Sequence, residues 1–293
     1  MPQLALGCAP LANLYGPVSD AQAEATIHAA LDAGVTLFDT APLYGAGLSE
    51  TRLGAALRGV PREHYQISTK VGRMVQPDGS VVFDWSTAGI QRSIDASLAR
   101  LGVAYLDIVH LHDPDAAYET ALHQALPTLE ALRTAGVLGT IGAGMNQWQM
   151  LDQFVATGRL GAVLLAGRYT LLEQRATPLL QRCAAAGVRV LLGGVFNSGI
   201  LATGAVPGAK YNYEAAPAGL LARVARIDAI CAGYGVPLAT AAIQFAASHP
   251  AVDTLVVGAS APGEITAAMT ALHTTVPESL WQQLAEREGI VRG

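Results

Sequence analysis

The amino-acid sequence predicts an α/β fold, a single (β/α)₈ TIM barrel that spans residues 1–293. Short apolar segments of strand length alternate with longer amphipathic segments along the whole chain, which is typical of βαβ units and a parallel sheet. Eight apolar segments occur, the number that a closed barrel of this type contains. The chain is 51% hydrophobic and has no Ser/Pro-rich linker or charge block, so one domain with one core is expected.

The predicted strands are apolar segments bounded by turn residues. In chain order they are Leu4–Pro10, Thr36–Ala41, Tyr65–Val71, Leu106–Leu111, Gly139–Met145, Ala162–Tyr169, Arg189–Val195 and Asp253–Gly258. An open doubly wound sheet is the alternative fold, and it would place a glycine-rich phosphate loop after its first strand. Residues 12–17 read Ala-Asn-Leu-Tyr-Gly-Pro instead, so the closed barrel is favoured.

The helices between these strands carry boundary signals. Ser19 and Gln22 have the spacing of a capping box at the first helix, and Ser86 is an N-cap for a helix that Gly102 ends. The tripeptide Ala-Gly-Val recurs at residues 33–35, 135–137 and 186–188. Its glycine is expected to take a positive φ just past a helix end, and its valine is expected to start the next strand.

Charge and cysteine content exclude several classes of function. The formal net charge is -5, only 14% of residues are charged and basic residues form no cluster, so no nucleic-acid partner is expected. The three cysteines lie far apart without metal-type spacing, which indicates a reducing compartment. The sequence shows neither a signal peptide nor an apolar segment long enough to span a bilayer. A cytoplasmic protein with a small-molecule substrate and no membrane partner is expected, with its oligomeric state open.

Four chemically reactive residues lie at the ends of neighbouring predicted strands. Asp39 is near the end of the second strand and Tyr44 follows it, Lys70 is at the end of the third strand, and His112 follows the fourth. Each taken alone has a structural alternative as a cap, a packed ring or a core histidine, but strand ends of a barrel share one mouth. A phenol with a pKa of about 10 is a poor acid or base near neutrality, and a neighbouring ammonium lowers that pKa. We therefore predict that Tyr44 transfers a proton, Lys70 activates it, Asp39 holds Lys70, and His112 orients the substrate oxygen.

The segment around Tyr44 resembles a known family signature. Residues 39–45 read Asp-Thr-Ala-Pro-Leu-Tyr-Gly and lead into Ser49 and Glu50, which is similar to the signature of the aldo-keto reductase family. The resemblance covers the whole chain. It implies an oxidoreductase with a nicotinamide cofactor and a catalytic tetrad on Asp39, Tyr44, Lys70 and His112.

Three further segments resemble one branch of this family, the aldose 1-dehydrogenases. They are Ala-Pro-Leu at 9–11, Tyr-Gly-Pro-Val at 15–18 and Gly-Ala-Gly-Met-Asn at 142–146. The branch includes L-fucose and L-galactose dehydrogenases and the similar pyridoxal 4-dehydrogenase. The resemblance implies oxidation of an aldose of the L-fucose, L-galactose or D-arabinose type at C1 to the lactone. Pyridoxal 4-dehydrogenase and a general NAD(P)H carbonyl reductase are the alternatives within the family.

Two alternatives come from other classes. A non-catalytic regulatory subunit would keep the barrel as a cofactor-binding sensor, and it would favour an added partner-binding segment. A metal-dependent hydrolase would use His110 and His112, whose side chains point to one face of a strand. The later strand ends supply no further metal ligands, so no metal site is expected.

The segment after the last strand predicts NAD rather than NADP. In the wider family a Lys and an Arg there hold the 2′-phosphate, whereas no Lys or Arg lies between Arg226 and Arg287. Glu264 would accept hydrogen bonds from a ribose diol and repel a phosphate. The predicted cofactor contacts of this segment are Gly258, Ala259, Ser260 and Glu264.

The resemblance breaks at the expected nicotinamide contacts. After strand five, this chain has Gly144-Met145 in place of the family's Ser-Asn pair. It has Ala166 in place of the family's Gln of strand six, and Gly193 in place of the family's Tyr of strand seven. The predicted substitutes are Asn146, Phe196, Asn197 and Gly199. For the substrate, Trp85 and Tyr169 are expected as aromatic walls, and Arg73 is expected to reach a hydroxyl or a cofactor phosphate.

Overall fold

The barrel predicted from the sequence is present in the computed structural model, which describes residues 1–76 and 78–293. Within these residues, eight parallel strands form a closed barrel. They are β1 (Gln3–Gly7), β2 (Leu37–Asp39), β3 (Gln66–Val71), β4 (Leu106–His112), β5 (Leu138–Met145), β6 (Ala162–Ala166), β7 (Arg189–Gly193) and β8 (Val252–Gly258). β8 closes the barrel on β1, with Gln3 paired to Thr254 and Gly7 paired to Gly258. Closure leaves no barrel strand with an unpaired edge.

Helices cover the outside of the barrel. They are α1 (Asp20–Asp32), α2 (Leu48–Ala56), α3 (Thr87–Leu101), α4 (Leu126–Thr134), α5 (Trp148–Ala156), α6 (Thr177–Ala186), α7 (Ala218–Gly233), α8 (Leu238–Ser248), α9 (Pro262–His273) and α10 (Glu278–Glu288). Shorter helical segments lie at Pro10–Ala12, Arg62–His64, Asp115–Ala117, Tyr118–Thr120, Ala121–Ala125 and Ile200–Thr203. Among the described helices, none by itself has the length and apolarity to cross a bilayer, although α7 and α8 together reach that threshold across a 94° bend.

Two hairpins follow β3 and β7, and the sequence pattern did not predict them. Arg73–Val75 pairs with Val81–Phe83, and Lys210–Tyr211 pairs with Glu214–Ala215. Both are very short and partly exposed, so they lack the buried apolar run by which strands are recognised. Because they follow the carboxyl ends of barrel strands, they form part of the mouth.

Several predicted strands are longer than the observed ones at their carboxyl ends. β6 ends at Ala166 and β7 ends at Gly193, whereas the apolar pattern continues to Tyr169 and Val195. Those two side chains are buried in the loops that follow the strands. Apolar periodicity reports burial rather than hydrogen bonding, so it does not separate a strand from a buried loop residue.

The helix caps follow the prediction in part. The Ser86 hydroxyl accepts the N–H of Gly89 at 3.1 Å, and Gly102 has a φ of 68°, as expected. Ser19 accepts the N–H of Gln22 at 3.2 Å, but the Gln22 side chain donates to the carbonyl of Ser260 at 2.8 Å and leaves the capping box half formed. That bond ties α1 to the loop after β8.

The repeated Ala-Gly-Val tripeptide ends three helices in the same way. Its glycines Gly34, Gly136 and Gly187 have φ values of 84°, 75° and 67°. The valine does not start the strand as predicted. Its N–H returns to a carbonyl five residues earlier, as from Val137 to Leu132 at 3.0 Å, which is the pattern of a Schellman motif. The strand begins one or two residues later.

A small apolar layer fills the barrel below the mouth. This core layer consists of Ala5, Leu37, Ile108, Ala162, Leu164, Leu191 and Val256. Side chains alternate along a strand, so the residues two positions further along point to the same interior and line the mouth. The core layer therefore forms the floor on which the candidate site stands.

Candidate active site

Lys70 and Asp39 form a buried ion pair at the mouth of the barrel. The Lys70 Nζ donates to Asp39 Oδ2 at 2.7 Å and to the carbonyl of Thr40 at 2.8 Å. The second carboxylate oxygen of Asp39 accepts the hydroxyl of Ser68 at 2.8 Å. Both charged side chains are nearly inaccessible, with exposed fractions of 2% and 5%. Their geometry is therefore held on every side by protein.

Tyr44 and His112 complete the cluster that the sequence predicts. The Lys70 Nζ lies 4.9 Å from the centre of the Tyr44 ring. The rings of Tyr44 and His112 meet edge to face, with centroids 6.1 Å apart and an interplanar angle of 87°. The structure thus brings together all four residues of the predicted tetrad, which come from the ends of β2, β3 and β4 and from the loop after β2.

The direction of the Tyr44 pKa differs from the prediction. Burial raises the pKa of Tyr44, and the Lys70 ammonium lowers it by less, so that the net change is upward. Burial also disfavours the charged form of Lys70, but Asp39 and Tyr44 outweigh this effect and raise the pKa of Lys70. Without a further positive charge in the site, the ammonium therefore offsets only part of the cost of a buried phenolate.

The two histidines of β4 are neutral. Burial lowers the pKa of His110 to about 3, and the positive charge of Lys70 acts in the same direction. Burial likewise holds the pKa of His112 well below its ordinary value of 6.5, again with Lys70 contributing. His110 occupies the space above Gly142, where a Cβ would lie 2.3 Å from its Nδ1. In the described part of the chain, no group of three potential metal ligands includes either histidine.

Helix α2 braces the strands that carry the tetrad. Glu50 is fully buried and accepts the hydroxyl of Thr69 at 2.6 Å and the Nε of Arg100 at 2.7 Å. Ser49 donates to the carbonyl of Cys8 at 3.0 Å. The sequence analysis named Ser49 and Glu50 only as part of a signature. Their bracing contacts join residues far apart in the chain, so they become visible only in the folded structure.

The side of the mouth formed by the ends of β5, β6 and β7, here called the bare side, has only very small residues at its inward positions. The inward positions at the ends of β5, β6 and β7 carry Gly144, Ala166 and Gly193. A Cβ at Gly144 or Gly193 would meet no atom closer than 3.4 Å, so both positions have room above the barrel floor. A flat heteroaromatic ring such as nicotinamide fits a surface without side chains.

Two asparagines border this bare side. Asn146 donates its amide to the carbonyl of Ala166 at 2.9 Å, and Asn197 donates to the carbonyl of Gly167 at 3.3 Å. The Oδ1 of Asn197 is buried and, among the described residues, accepts no hydrogen bond. A buried acceptor without a donor fits the amide N–H of a bound carboxamide. The placement of a nicotinamide on this side stays a prediction, and Asn197 Oδ1 is the atom available to it.

The remaining predicted cofactor residues follow β7 or lie between the last residue of β8, Gly258, and the first turn of α9, which contains Glu264. Phe196 is partly buried against the core, and Gly199 has a φ of 96°, which glycine adopts without strain. After β8, the N–H of Ser260 donates to Glu264 Oε2 at 2.6 Å, and the Ser260 hydroxyl donates to the same oxygen at 3.1 Å. The Glu264 carboxylate, in the first turn of α9, therefore accepts both donors that Ser260 offers at this helix start.

Tyr169 does not line the mouth as predicted. Its ring is 1% exposed, stacks on Phe245 at 5.2 Å and meets His249 edge to face. Its hydroxyl accepts the N–H of Gly293 at 3.2 Å. This placement contradicts the expected substrate wall, because protein covers every face of the ring. The apolar pattern that lengthened predicted strand six had marked a core residue.

The other predicted substrate residues, Arg73 and Trp85, follow β3. Trp85 is buried, and its ring covers Gly72, where any Cβ would overlap it. Arg73 forms an ion pair with Asp113 and lies over the ring of Phe83 at 5.3 Å.

Two tyrosines near the mouth were not among the predicted site residues, although Tyr15 lies in the Tyr-Gly-Pro-Val segment that resembles the aldose 1-dehydrogenases. Tyr15 and Tyr213 are 63% and 64% exposed. Tyr213 contributes to the raised pKa of Tyr44, after burial and the charge of Asp39. Exposed aromatic residues in short loops carry no periodic signal, so only the fold brings them together.

Comparison with known proteins places this site in context. Residues 3–288 match the model of the Aldo/keto reductase family. The chain is 39% identical to D-threo-aldose 1-dehydrogenase of a Pseudomonas species, over 98% of this chain and 94% of that protein. It is 36% identical to pyridoxal 4-dehydrogenase of Microbacterium luteolum, over 98% and 94% of the two chains. An aldo-keto reductase structure from Bacillus halodurans in its holo form shares the fold, with a TM-score of 0.82, 24% identity and coverage of 97% and 91%.

Proposed function

This chain belongs to the aldo/keto reductase family, and we propose that it is an NAD-dependent dehydrogenase that oxidises an aldose at C1 to the lactone. The family consists of oxidoreductases that use a nicotinamide cofactor and small carbonyl or sugar substrates. The proposed substrate class follows the 39% identical relative, which is named for its action on D-threo-aldoses. L-Fucose, L-galactose and D-arabinose are the sugars to test.

The four residues at the mouth carry the proposal, because together they offer a proton acceptor, a cation beside it and a neutral hydrogen-bond donor. The bound nicotinamide would supply the hydride acceptor. As hydride leaves C1 of the cyclic aldose, the phenolate of Tyr44 takes the proton of the anomeric hydroxyl, and the C1–O bond becomes the lactone carbonyl. Lys70 lowers the cost of the phenolate, since it lies 4.9 Å from the Tyr44 ring.

His112 and Asp39 have orienting roles in this proposal. His112 is neutral, because burial depresses its pKa, so its ring donates a hydrogen bond to the reacting oxygen without adding a second full charge. Asp39 and the Thr40 carbonyl hold Lys70 at 2.7 and 2.8 Å, which fixes the ammonium beside Tyr44. Each role requires the geometry that closure of the barrel provides.

The segment after β8 supports NAD over NADP. The Glu264 carboxylate accepts the N–H of Ser260 at 2.6 Å, so this donor is already used and a negative charge stands beside it. No Lys or Arg lies between Arg226 and Arg287 to offset a second anion there. A ribose diol can donate to the same carboxylate, so the contact that repels NADP favours NAD.

Pyridoxal is the second candidate substrate. It is supported by the 36% identity to a pyridoxal 4-dehydrogenase over 98% of this chain. The cyclic hemiacetal of pyridoxal has the same reacting group as a cyclic aldose, so the same residues would convert it to a lactone.

The test follows the absorbance of NADH or NADPH while purified protein meets NAD or NADP with L-fucose, L-galactose, D-arabinose or pyridoxal. NADH formation with a sugar is expected, and the specificity constants then rank the sugars. Activity with pyridoxal alone would transfer the proposal to the second candidate. A wild-type protein that reduces simple aldehydes with NADPH but oxidises none of the four would be a general carbonyl reductase, and a protein that binds NAD without turnover would be a regulatory subunit.

A further inference from the structure

A charged pair borders the mouth beside the tetrad and has no part in the proposed proton transfer. Asp113 follows His112 directly, and its Oδ2 accepts a hydrogen bond from the guanidinium of Arg73 in the hairpin after β3. We infer that Asp113, held by Arg73, accepts hydrogen bonds from substrate hydroxyls next to the reacting carbon and so selects polyhydroxylated substrates. This inference rests on the proposed function and names the residues that would determine its substrate class.

The distance between Asp113 and His112 supports this role. Asp113 Oδ2 lies 3.8 Å from Nε2 of His112, which is too long for a hydrogen bond. A substrate oxygen bound by Nε2 would therefore lie beside the carboxylate. A hydroxyl on the adjacent carbon lies about 3 Å from that oxygen, one hydrogen-bond length away, and would come within reach of Asp113.

The carboxylate also has unused capacity to accept hydrogen bonds. Among the described residues, Arg73 is the donor to Oδ2, and no donor reaches Oδ1. The side chains of Arg73 and Asp113 are 25% and 26% exposed, so the pair is partly shielded yet open to a ligand. An ionised carboxylate has about four acceptor sites, and sugar hydroxyls are suitable donors.

The backbone holds Asp113 in place. Its φ is 48°, in the left-handed region that few residues other than glycine adopt, although aspartate tolerates it better than most. Its N–H donates to the carbonyl of Gly144 at 3.0 Å, which anchors the turn on β5. Phe83 packs under the guanidinium of Arg73 at 5.3 Å and limits its movement. The carboxylate is therefore presented in one orientation.

Selectivity follows from what happens when the hydroxyl is missing. A substrate without this hydroxyl would displace water from the Asp113 carboxylate and would donate no hydrogen bond in its place. Sites built to bind a hydroxyl discriminate strongly against analogues that lack it. Asp113 would thus favour an aldose over a plain aldehyde of similar size.

The experiment compares L-fucose with its monodeoxy analogues in wild type, Asp113→Asn and Arg73→Met. In wild type, kcat/KM for L-fucose should exceed that for the 2-deoxy analogue, which lacks the hydroxyl next to C1, by about 10- to 100-fold, as expected for hydrogen bonds to a charged group. Asp113→Asn keeps the size of the side chain and should reduce this preference to within about threefold. Arg73→Met should reduce it as well, because the carboxylate loses its holder. Arg92→Met is the matched control, since it breaks an ion pair with Asp84 on the same side of the barrel and should leave the preference unchanged.

The outcomes separate this inference from the proposed function. If Asp113→Asn turns over and keeps the wild-type preference, the inference is wrong and the dehydrogenase proposal stands. If wild type oxidises no aldose, both fall. If circular dichroism shows that Asp113→Asn is unfolded, Arg73→Met decides, and an undiminished preference in that variant overturns the inference.

Discussion

The buried ion pair of Lys70 and Asp39 determines which group at the mouth of the barrel can change its protonation state. The Lys70 ammonium and the Asp39 carboxylate are 2.7 Å apart and almost completely enclosed, so neither can lose its partner without leaving an isolated charge in the protein. Tyr44 lies beside this pair, with its ring centre 4.9 Å from the Lys70 Nζ. Its phenol is therefore the group whose protonation can change during a reaction while the ion pair stays intact.

Removing the Tyr44 hydroxyl should abolish turnover and leave cofactor binding intact. Tyr44→Phe keeps the ring beside Lys70 but removes the atom that takes the proton, so kcat should fall by about 10²- to 10⁴-fold. Fluorescence titration with NADH should give a Kd close to that of wild type. Tyr234→Phe, which removes a phenol at the end of α7, is the control and should keep full activity. Retained turnover in Tyr44→Phe would disprove the tetrad assignment.

The pH dependence of oxidation should follow the raised pKa of Tyr44. Burial raises this pKa more than Lys70 lowers it, so in the free enzyme the active phenolate is a minor form at neutral pH and grows as the pH rises. At subsaturating NAD, kcat/KM for oxidation should therefore climb by up to about tenfold per pH unit between about pH 7 and 10. His112 is already neutral across this range and should add no further step.

Lys70→Met tests the cause of that profile. The positive charge of Lys70 lowers the Tyr44 pKa, so kcat/KM of the variant should lie below wild type at every pH. A profile that is flat above neutral pH in wild type would contradict the assignment of Tyr44 as the titrating base.

At the scale of elements, the Ala-Gly-Val tripeptide is a repeated helix-to-strand connection. Its glycine takes a positive φ and its valine N–H caps the helix, so the chain reverses within two residues. The same device precedes β2, β5 and β7. It sets where those strands start and thereby how far their ends project toward the mouth.

Replacing one of these glycines should lower stability through the backbone alone. Gly136 has a φ of 75°, and a Cβ added there would meet nothing within 4 Å, so Gly136→Ala adds strain without a steric clash. The free energy of unfolding should fall by about 1 kcal/mol. Gly219→Ala is the matched control, because Gly219 is in α7 with equally open surroundings and no positive φ, and it should gain about 0.4–1 kcal/mol. Shifts of the urea midpoint of equal size and sign for both variants would contradict this account.

The whole barrel divides its mouth into a reactive side and a bare side. Strands β2 to β4 contribute charged or polar side chains, whereas β5 to β7 end inward in Gly144, Ala166 and Gly193. Closure of the barrel places these two surfaces face to face. His110 sits beneath the reactive side, enclosed without solvent.

That enclosure should make the folded protein sensitive to acid. The pKa of His110 is about 3 in the folded state and near 6.5 in the unfolded state. Between these two pH values the unfolded chain therefore binds a proton at His110 and the folded protein does not. Its stabilising contribution is fully present above about pH 6.5 and is lost as the pH falls toward about 3. Between about pH 6.5 and 5 the loss should be about 2 kcal/mol, and His112 adds to it in the same direction.

Urea unfolding at about pH 7 and pH 5 measures this effect. His110→Gln should reduce the difference between the two midpoints, even if it lowers stability at neutral pH. His123→Gln changes an exposed histidine and should leave the difference as in wild type. An equal pH dependence in wild type and His110→Gln would show that another group controls acid unfolding.

Local pattern was sufficient for the order and type of the barrel elements and for the four tetrad positions. Apolar periodicity and the residues that end a strand can both be read from a short stretch of sequence. Because the carboxyl ends of all barrel strands lie on one face, the four tetrad residues could be placed together before any contact was known. These residues are Asp39, Tyr44, Lys70 and His112. The same reasoning failed at Tyr169, because a buried loop residue and a strand residue give the same apolar signal.

Tertiary structure alone decided the features that depend on partners distant in sequence. Three such features arise where strand register brings separate segments of the described chain together. They are the Arg73–Asp113 ion pair, the hydrogen bond from Thr69 to Glu50 and the unpartnered Oδ1 of Asn197. The net direction of the Tyr44 pKa was decided there too, since burial opposes Lys70 and its size depends on the completed enclosure. The spacing of residues along the sequence does not specify the register of the strands in a closed barrel or how much water is excluded from its interior. The register sets which side chains of the site are in contact, and the exclusion of water sets the pKa values of its charged groups.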